Sequence, residues 1–163
     1  MSFGGRTPRA RPDPAQKAME LLVRREHSRR DLKRKLGLRG AAPEEAEAAV
    51  EKLASLGYQD DDRFAASFAR DRAASGYGPV RSRQELAGHG LSQVQVELAL
   101  GACDTDWGAS ARSLVDKRYR PEQLADPARR RKAVDFLLRR GFDQTGAWAA
   151  VRARPDEDFE PES

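Results

Sequence analysis

The stretch Leu56–Ser92, LGYQDDDRFAASFARDRAASGYGPVRSRQELAGHGLS, decides the fold. Asp60-Asp61-Asp62 offers an N-cap and negative charge at the start of a helix. Phe64 and Phe68, like Ala65 and Ala69, stand at i, i+4 on one apolar face, and Gly76 stops that helix. Pro79 opens the next at its first position, with Val80, Leu86 and Ala87 turned inward and Gly88 and Gly90 at its end. Ser92 with Gln95 then forms a capping box, and Leu91 and Val96 sit at N′ and N4 like a hydrophobic staple. Apolar residues recur here at helical spacing, so the stretch predicts short helices cut by Gly and Pro rather than strands.

The same grammar extends outward. Ala18, Leu21 and Leu22 open a first helix, Ser28 caps a second carrying Leu32 and Leu36, and Pro43 starts a third with Ala46, Val50 and Leu53. On the other side Trp107, Ala111, Leu114 and Val115 form one helix. After a Pro-bounded loop from Arg120 to Asp126, Ala133, Val134, Leu137 and Leu138 form another, and Asp143 caps a last one with Ala147, Trp148 and Val151. Gly90-Leu91-Ser92 and Gly141-Phe142-Asp143 match as stop, staple and cap, and Asp31-Leu32, Glu85-Leu86 and Phe136-Leu137 recur at near-constant spacing. The chain therefore reads as all-α, with three tandem three-helix repeats packing into an elongated, curved array. Residues 1–16 form a flexible basic N-terminal tail, 17–58, 59–103 and 104–153 the three repeats, and 154–163 an acidic C-terminal tail that is expected only to solvate.

Composition agrees. The 163 residues include 26 Ala, no Ile and no Asn, and they are 39% hydrophobic and 34% charged, a balance that suits helices. No apolar run approaches a membrane span and the polar start lacks a signal peptide's apolar stretch, so the expected compartment is the cytoplasm. Cys103 has no disulfide partner, and His27 and His89 have no neighbour at metal-ligand spacing. No phosphate-cradling loop occurs, and GYGP at Gly76–Pro79 reads simply as a helix stop and start. The chain is expected to have no enzymatic activity, no metal and no cofactor. Tyr58, Phe64, Phe68, Trp107 and Trp148 are expected in the core.

The net charge is +4, and 24 of the 30 basic residues are Arg. Seven basic residues between Arg24 and Lys35 face only Glu26 and Asp31; Arg29, Arg30, Lys33 and Arg34 fall away from the Leu32/Leu36 stripe, and Lys35 joins them as a candidate contact by charge density. Arg70, Arg72, Arg81 and Arg83 form a middle cluster, and Arg129–Lys132 with Arg139-Arg140 a third. Exposed Arg and Lys are also the ordinary outside of a helix, but their repetition suits a polyanion or acidic partner. The third helices of the repeats begin acidic or nearly uncharged, which disfavours helix-turn-helix base reading. Backbone contact to DNA fits better.

The spaced set Gly57-Tyr58, Asp61, Arg63-Phe64-Ala65, Phe68, Arg72, Gly76, Gly78-Pro79, Arg81, Glu85-Leu86 and Gly90-Leu91 resembles the RecX family, regulators of RecA recombinase. REHSRRDLKRKL in the first repeat and FLLRRGF near the end extend the likeness over residues 17–151, while Gln59 and Ser82 stand where the family usually has apolar residues. The resemblance implies three tandem three-helix repeats. It also implies binding to the RecA filament on single-stranded DNA, with inhibition of ATP hydrolysis and strand exchange and a block on filament growth. It implies no catalysis and no cofactor. The basic residues named above would meet RecA, the DNA backbone or both, and the chain is expected to be a monomer. A nonspecific nucleic-acid-binding protein acting through its basic surface is the other function the charge pattern allows.

Overall fold

The structure is a computed structural model and describes residues 10–152. Nine α-helices run along these residues: α1 (Pro14–Arg24), α2 (Arg29–Leu38), α3 (Pro43–Ser55), α4 (Asp61–Ala74), α5 (Pro79–Gly88), α6 (Gln93–Ala102), α7 (Trp107–Arg118), α8 (Pro127–Arg139) and α9 (Gln144–Val151). No strand occurs among the described residues, as the apolar spacing predicts. None of these helices is long and apolar enough to cross a membrane. The loop expected between α7 and α8 winds into a 3₁₀ turn, Pro121–Ala125, whose Leu124 packs on the neighbouring core.

Local chemistry sets the helix starts. The Ser28 hydroxyl accepts from Asp31 N at 3.1 Å, Asp60 Oδ1 accepts from Asp62 N and Arg63 N, and Asp143 Oδ1 accepts from Gly146 N. Each satisfies an amide with no partner inside the helix. Ser92 and Gln95 form the full reciprocal capping box. The tail assigned to residues 1–16 needs correction where it is described: α1 already begins at Pro14, because Asp13 accepts from Ala15 N and Pro14 occupies N1. The expected acidic tail, like residues 1–9, lies outside the described residues.

The chain divides into two compact units, ending and beginning at Phe64 and Ala65. In the first, α1, α2 and α3 pack on one another around Ala18, Leu21, Leu32, Leu36, Ala46, Ala49, Val50 and Leu53. In the second, α5 packs on α6, and α7 and α8 pack on α9 around Ala111, Val115, Val134, Leu137, Phe142, Ala147 and Val151. Leu86, Leu91, Val96 and Leu100 are buried in this unit too. Gln59 and Ser82 are buried but satisfied. Gln59 Nε2 donates to His27 O and Asp61 Oδ1, and Ser82 Oγ donates to Gly78 O, which removes most of the cost of burying a polar group.

Three inward assignments fail. Tyr58 is 50% exposed, Trp148 is 39% exposed, and Ala87 faces solvent. Tyr58 follows the positive-φ Gly57 outside α3, and Trp148 lies one position past the buried Ala147, off the face that carries Ala150 and Val151.

Candidate functional site

On α2 the five basic residues nominated from sequence share a helix, and four of them already hold carboxylates. Arg29 pairs with Glu51 and Lys33 with Glu47, matching two i, i+4 rows across α2 and α3. The Lys33 ammonium holds the Glu47 carboxyl below its ordinary range. Arg34 and Lys35 each reach Asp31 at 2.9 Å. Arg30 alone of the five is exposed with no ion pair among the described residues. At Arg29 and Lys33 the face is thus a seam of exposed, exchangeable pairs rather than bare positive charge, whereas Arg34 and Lys35 hold the largely buried Asp31. Exposed pairs contribute only about 0.2–1 kcal/mol each, so an incoming phosphate can take over such an arginine at small cost.

Beneath that seam lies a cluster the sequence reading did not find. His27 is 2% exposed and its Nδ1 lies 3.0 Å from Asp31 Oδ2, with Lys35 Nζ 2.9 Å from the same oxygen. Burial pushes the His27 pKa down, so the ring is neutral and donates its Nδ1 proton to Asp31. Burial also opposes ionisation of Asp31, but hydrogen bonds from His27, Lys35 and Arg34 outweigh it and hold the carboxyl well below its usual range. Both groups therefore bind protons more readily when unfolded, and stability of the first unit is lost as pH falls: first below the unfolded His value of 6.5, then below the unfolded Asp value of 3.8. The protection factors of the Leu32 and Leu36 amides, each taken against the unprotected rate at the same pH, should fall from pH 7.5 to 5, and His27→Gln should flatten that step. Exchange protection that does not change between those pH values would show the cluster to be energetically inert.

The middle cluster lies in the second unit. Arg72 Nε sits 2.7 Å from Glu85 Oε2, off the hydrogen-bond axis, while Arg81 Nε donates to Glu85 Oε1 at 3.0 Å. Arg83 pairs with Glu97 at 2.6 Å, and Arg70 is exposed with no ion pair among the described residues. Arg72 and Arg81 also flank Tyr77, at 5.2 and 4.4 Å from its ring centre. Arg140 joins them at 5.2 Å and lies 5.7 Å from Phe136, over which Arg118 sits at 4.6 Å. At the other end Arg72 lies 5.0 Å over Phe68. The result is a ladder of alternating guanidinium and aromatic groups, Phe68-Arg72-Tyr77-Arg140-Phe136-Arg118, with Arg81 beside Tyr77.

The Gly76–Pro79 turn, expected only to join two helices, builds this ladder. Gly78 N donates to Arg140 O at 2.8 Å and Val80 N to Gly141 O at 2.9 Å. A Cβ on Gly78 would lie 2.5 Å from Phe142 N, so only glycine admits this approach. The Arg139-Arg140 cluster was visible in sequence. The roles of Tyr77, Phe136 and Arg118 were not, because they depend on contacts between residues far apart in the chain.

Family models match in order along the chain: RecX, first three-helix domain, at residues 16–53, the second three-helix domain at 60–100, and the third at 104–151. The chain belongs to the RecX family. Regulatory protein RecX of Xanthomonas campestris pv. campestris (strain B100) is 51% identical over 139 residues, 85% of this chain and 86% of that one. Regulatory protein RecX of Stenotrophomonas maltophilia (strain R551-3) is 49% identical over 144 residues, 88% of each. A crystal structure of RecX from Lactobacillus salivarius shares the fold with a TM-score of 0.71 at 20% identity, covering 85% of this chain and 92% of that one. The all-helical architecture of three RecX three-helix domains follows, and the chain is a member of a family of regulatory proteins.

Proposed function

We propose that this RecX-family chain inhibits RecA recombinase. It binds the RecA filament on single-stranded DNA, suppresses ATP hydrolysis and strand exchange, and limits filament growth in recombinational repair and the SOS response. The observation that carries the reading is the ordered set of three RecX domains over residues 16–151. The chain acts in the cytoplasm as a monomer, without cofactor and without chemistry of its own, by contact. Arg29, Arg30, Lys33, Arg34 and Lys35 on α2, and Arg70, Arg72, Arg81 and Arg83 on α4 and α5, are the residues proposed to make those contacts. The α2 pairs with Glu47 and Glu51 are exposed and exchangeable, which supports that role.

A second reading has its own observation. Alternating arginines and aromatic rings are the chemistry of nonspecific single-strand binding, where phosphates meet guanidinium groups and bases stack on rings. Mixing the chain with RecA, ATP and single-stranded DNA separates the two. Loss of ATPase well below one chain per RecA subunit is the expected result. Inhibition that appears only when free DNA is titrated away would replace the first reading with the second.

A further inference from the structure

We propose that α5, α7 and α8 form a binding site for single-stranded nucleic acid, in which Arg118, Arg139 and Arg140 hold backbone phosphates and the groove between α5 and α8 takes an unstacked base. The inference rests on the second reading above and gives it a place, on side chains of α7 and α8 that lie outside the contact residues proposed for α2, α4 and α5.

The three arginines are not neutralised. None of Arg118, Arg139 and Arg140 makes an ion pair among the described residues, whereas Arg72 and Arg81 share Glu85 and Arg83 holds Glu97. Arg140 uses Nη1 on the Ser75 carbonyl at 3.4 Å and makes no other side-chain hydrogen bond among the described residues. A phosphate arriving here displaces no carboxylate, as it would have to at Arg29 and Lys33.

The rings aim these cations. Arg118 lies 4.6 Å over Phe136, and Arg140 lies 5.7 Å from the same ring and 5.2 Å from Tyr77. A guanidinium stacked on a ring keeps its N–H edge outward for a forked oxyanion, and the stacking lowers the entropy lost when the anion binds. Tyr77 already carries three guanidinium groups and Phe136 two, so a base stacking on either would have to displace an arginine.

The base has another place to go. A groove of about 400 Å³ runs between α5 and α8, with half-buried Val80 and Leu138 as its apolar part and Arg81, Arg139 and the Gln84 amide at its edges. That amide both donates and accepts, which suits the polar edge of any base. The hydrogen bonds from Gly78 N to Arg140 O and from Val80 N to Gly141 O hold the groove preformed. Arg81 lines the groove and stacks on Tyr77, and Arg139 lines it next to Arg140 in the chain. Free cations beside an apolar slot with a polar edge match the alternation of phosphate and base along a strand, and a run of carboxylates offers no ring for the slot.

The test uses the full chain and a short labelled oligo(dT), read by fluorescence anisotropy at two salt concentrations without RecA. Arg118→Gln with Arg140→Gln should weaken binding at least about tenfold in low salt and make the log affinity against log salt plot shallower by roughly 1.4, at about 0.7 per lost contact. Arg118→Gln alone, at an exposed side chain, should keep the melting temperature and change the slope by about half as much, which keeps the test decisive if Arg140→Gln disturbs the turn. Arg24→Gln with Lys52→Gln removes the same charge from the first unit and should leave affinity within about twofold. In nuclear magnetic resonance, oligo(dT) should shift the Val80 and Leu138 methyl groups, and an abasic strand or a duplex of equal length should not. Unchanged affinity and slope in the Arg118 and Arg140 variants, an equal loss in the first-unit control, methyl groups that ignore oligo(dT) or answer the abasic strand or duplex equally, or displacement of oligo(dT) by poly-glutamate at equal charge would each overturn the site. An unsubstituted chain that binds no oligo(dT) would remove the second reading as well, so the two failures are distinct.

Discussion

Gly141→Ala is expected to destabilise the second unit by roughly 3–5 kcal/mol, from backbone strain and overpacking together. Gly141 has φ +91°, a conformation that an L side chain adopts only under strain. A Cβ there would also lie 2.8 Å from Arg81 N and run into the Arg81 side chain, at a contact that backbone hydrogen bonds from Val80 and Arg81 hold closed. The α4–α5 turn and the α8–α9 turn would have to separate, taking Tyr77 from Arg140. Both tryptophans, Trp107 and Trp148, lie in this unit, so their fluorescence follows its melting. At about 4–8 °C per kcal/mol for a unit of this size, the midpoint should fall by roughly 12 °C or more. Gly40→Ala is the control, followed by circular dichroism because it lies in the first unit, which holds no tryptophan: φ is +92° but nothing lies within 4 Å of the added carbon, so only the conformational cost, about 1–2 kcal/mol, should appear. Equal losses from the two substitutions would show that the close approach at Gly141 carries no energy.

That contrast also marks what sequence made legible. Ser28, Ser92, Asp143, Pro43 and Pro79 announce helix starts because a cap acts on amides two or three residues away, within the reach of local pattern. The same logic applied to Asp13-Pro14 would have placed the start of α1, but the surrounding prolines and arginines read as tail. Gly40 and Gly141 both follow a helix and both have positive φ, yet nothing lies within 4 Å of a Cβ on Gly40 while Gly141 is pressed against another turn. Nothing local distinguishes them. His27 was dismissed for want of a metal partner, and its actual partners, Asp31 and Lys35, were counted as surface charge. The basic side chains are legible in the sequence as charges on α2, α4 and α5. Their pairing with Glu47, Glu51, Glu85 and Glu97 is not, because helix phase says which way a side chain leaves its own helix and not what the facing helix offers it.

Those pairings decide how the proposed contact surface should be tested. Reversing Arg29, Arg30, Lys33 and Arg34 to Glu, or Arg70, Arg72, Arg81 and Arg83 to Glu, is expected to weaken inhibition of RecA ATPase at least about tenfold. Each lost phosphate contact should also reduce the steepness of the log affinity against log salt plot by about 0.7. The two sets will not be equally clean. Glu at position 29 or 33 would face Glu51 or Glu47, and Glu at position 72 or 81 would face Glu85 and take from Tyr77 one of its three cations. Arg72 and Arg81 thus have a structural duty that fully accounts for their presence, and a loss of function there is ambiguous alone. Arg30 and Arg70 carry no such duty, being exposed and without ion pairs among the described residues, so Arg30→Glu and Arg70→Glu should each move stability by only about 0.5 kcal/mol. For the paired positions, Lys33→Glu with Glu47→Lys restores the seam while moving its positive charge to α3. If the surface acts through charge at α2, this swap keeps the melting temperature and still loses inhibition. Wild-type inhibition and wild-type salt dependence from the Arg30 and Arg70 reversals and from both four-site variants would leave these arginines as ordinary solvated surface, and contact with RecA would have to be sought elsewhere on the chain.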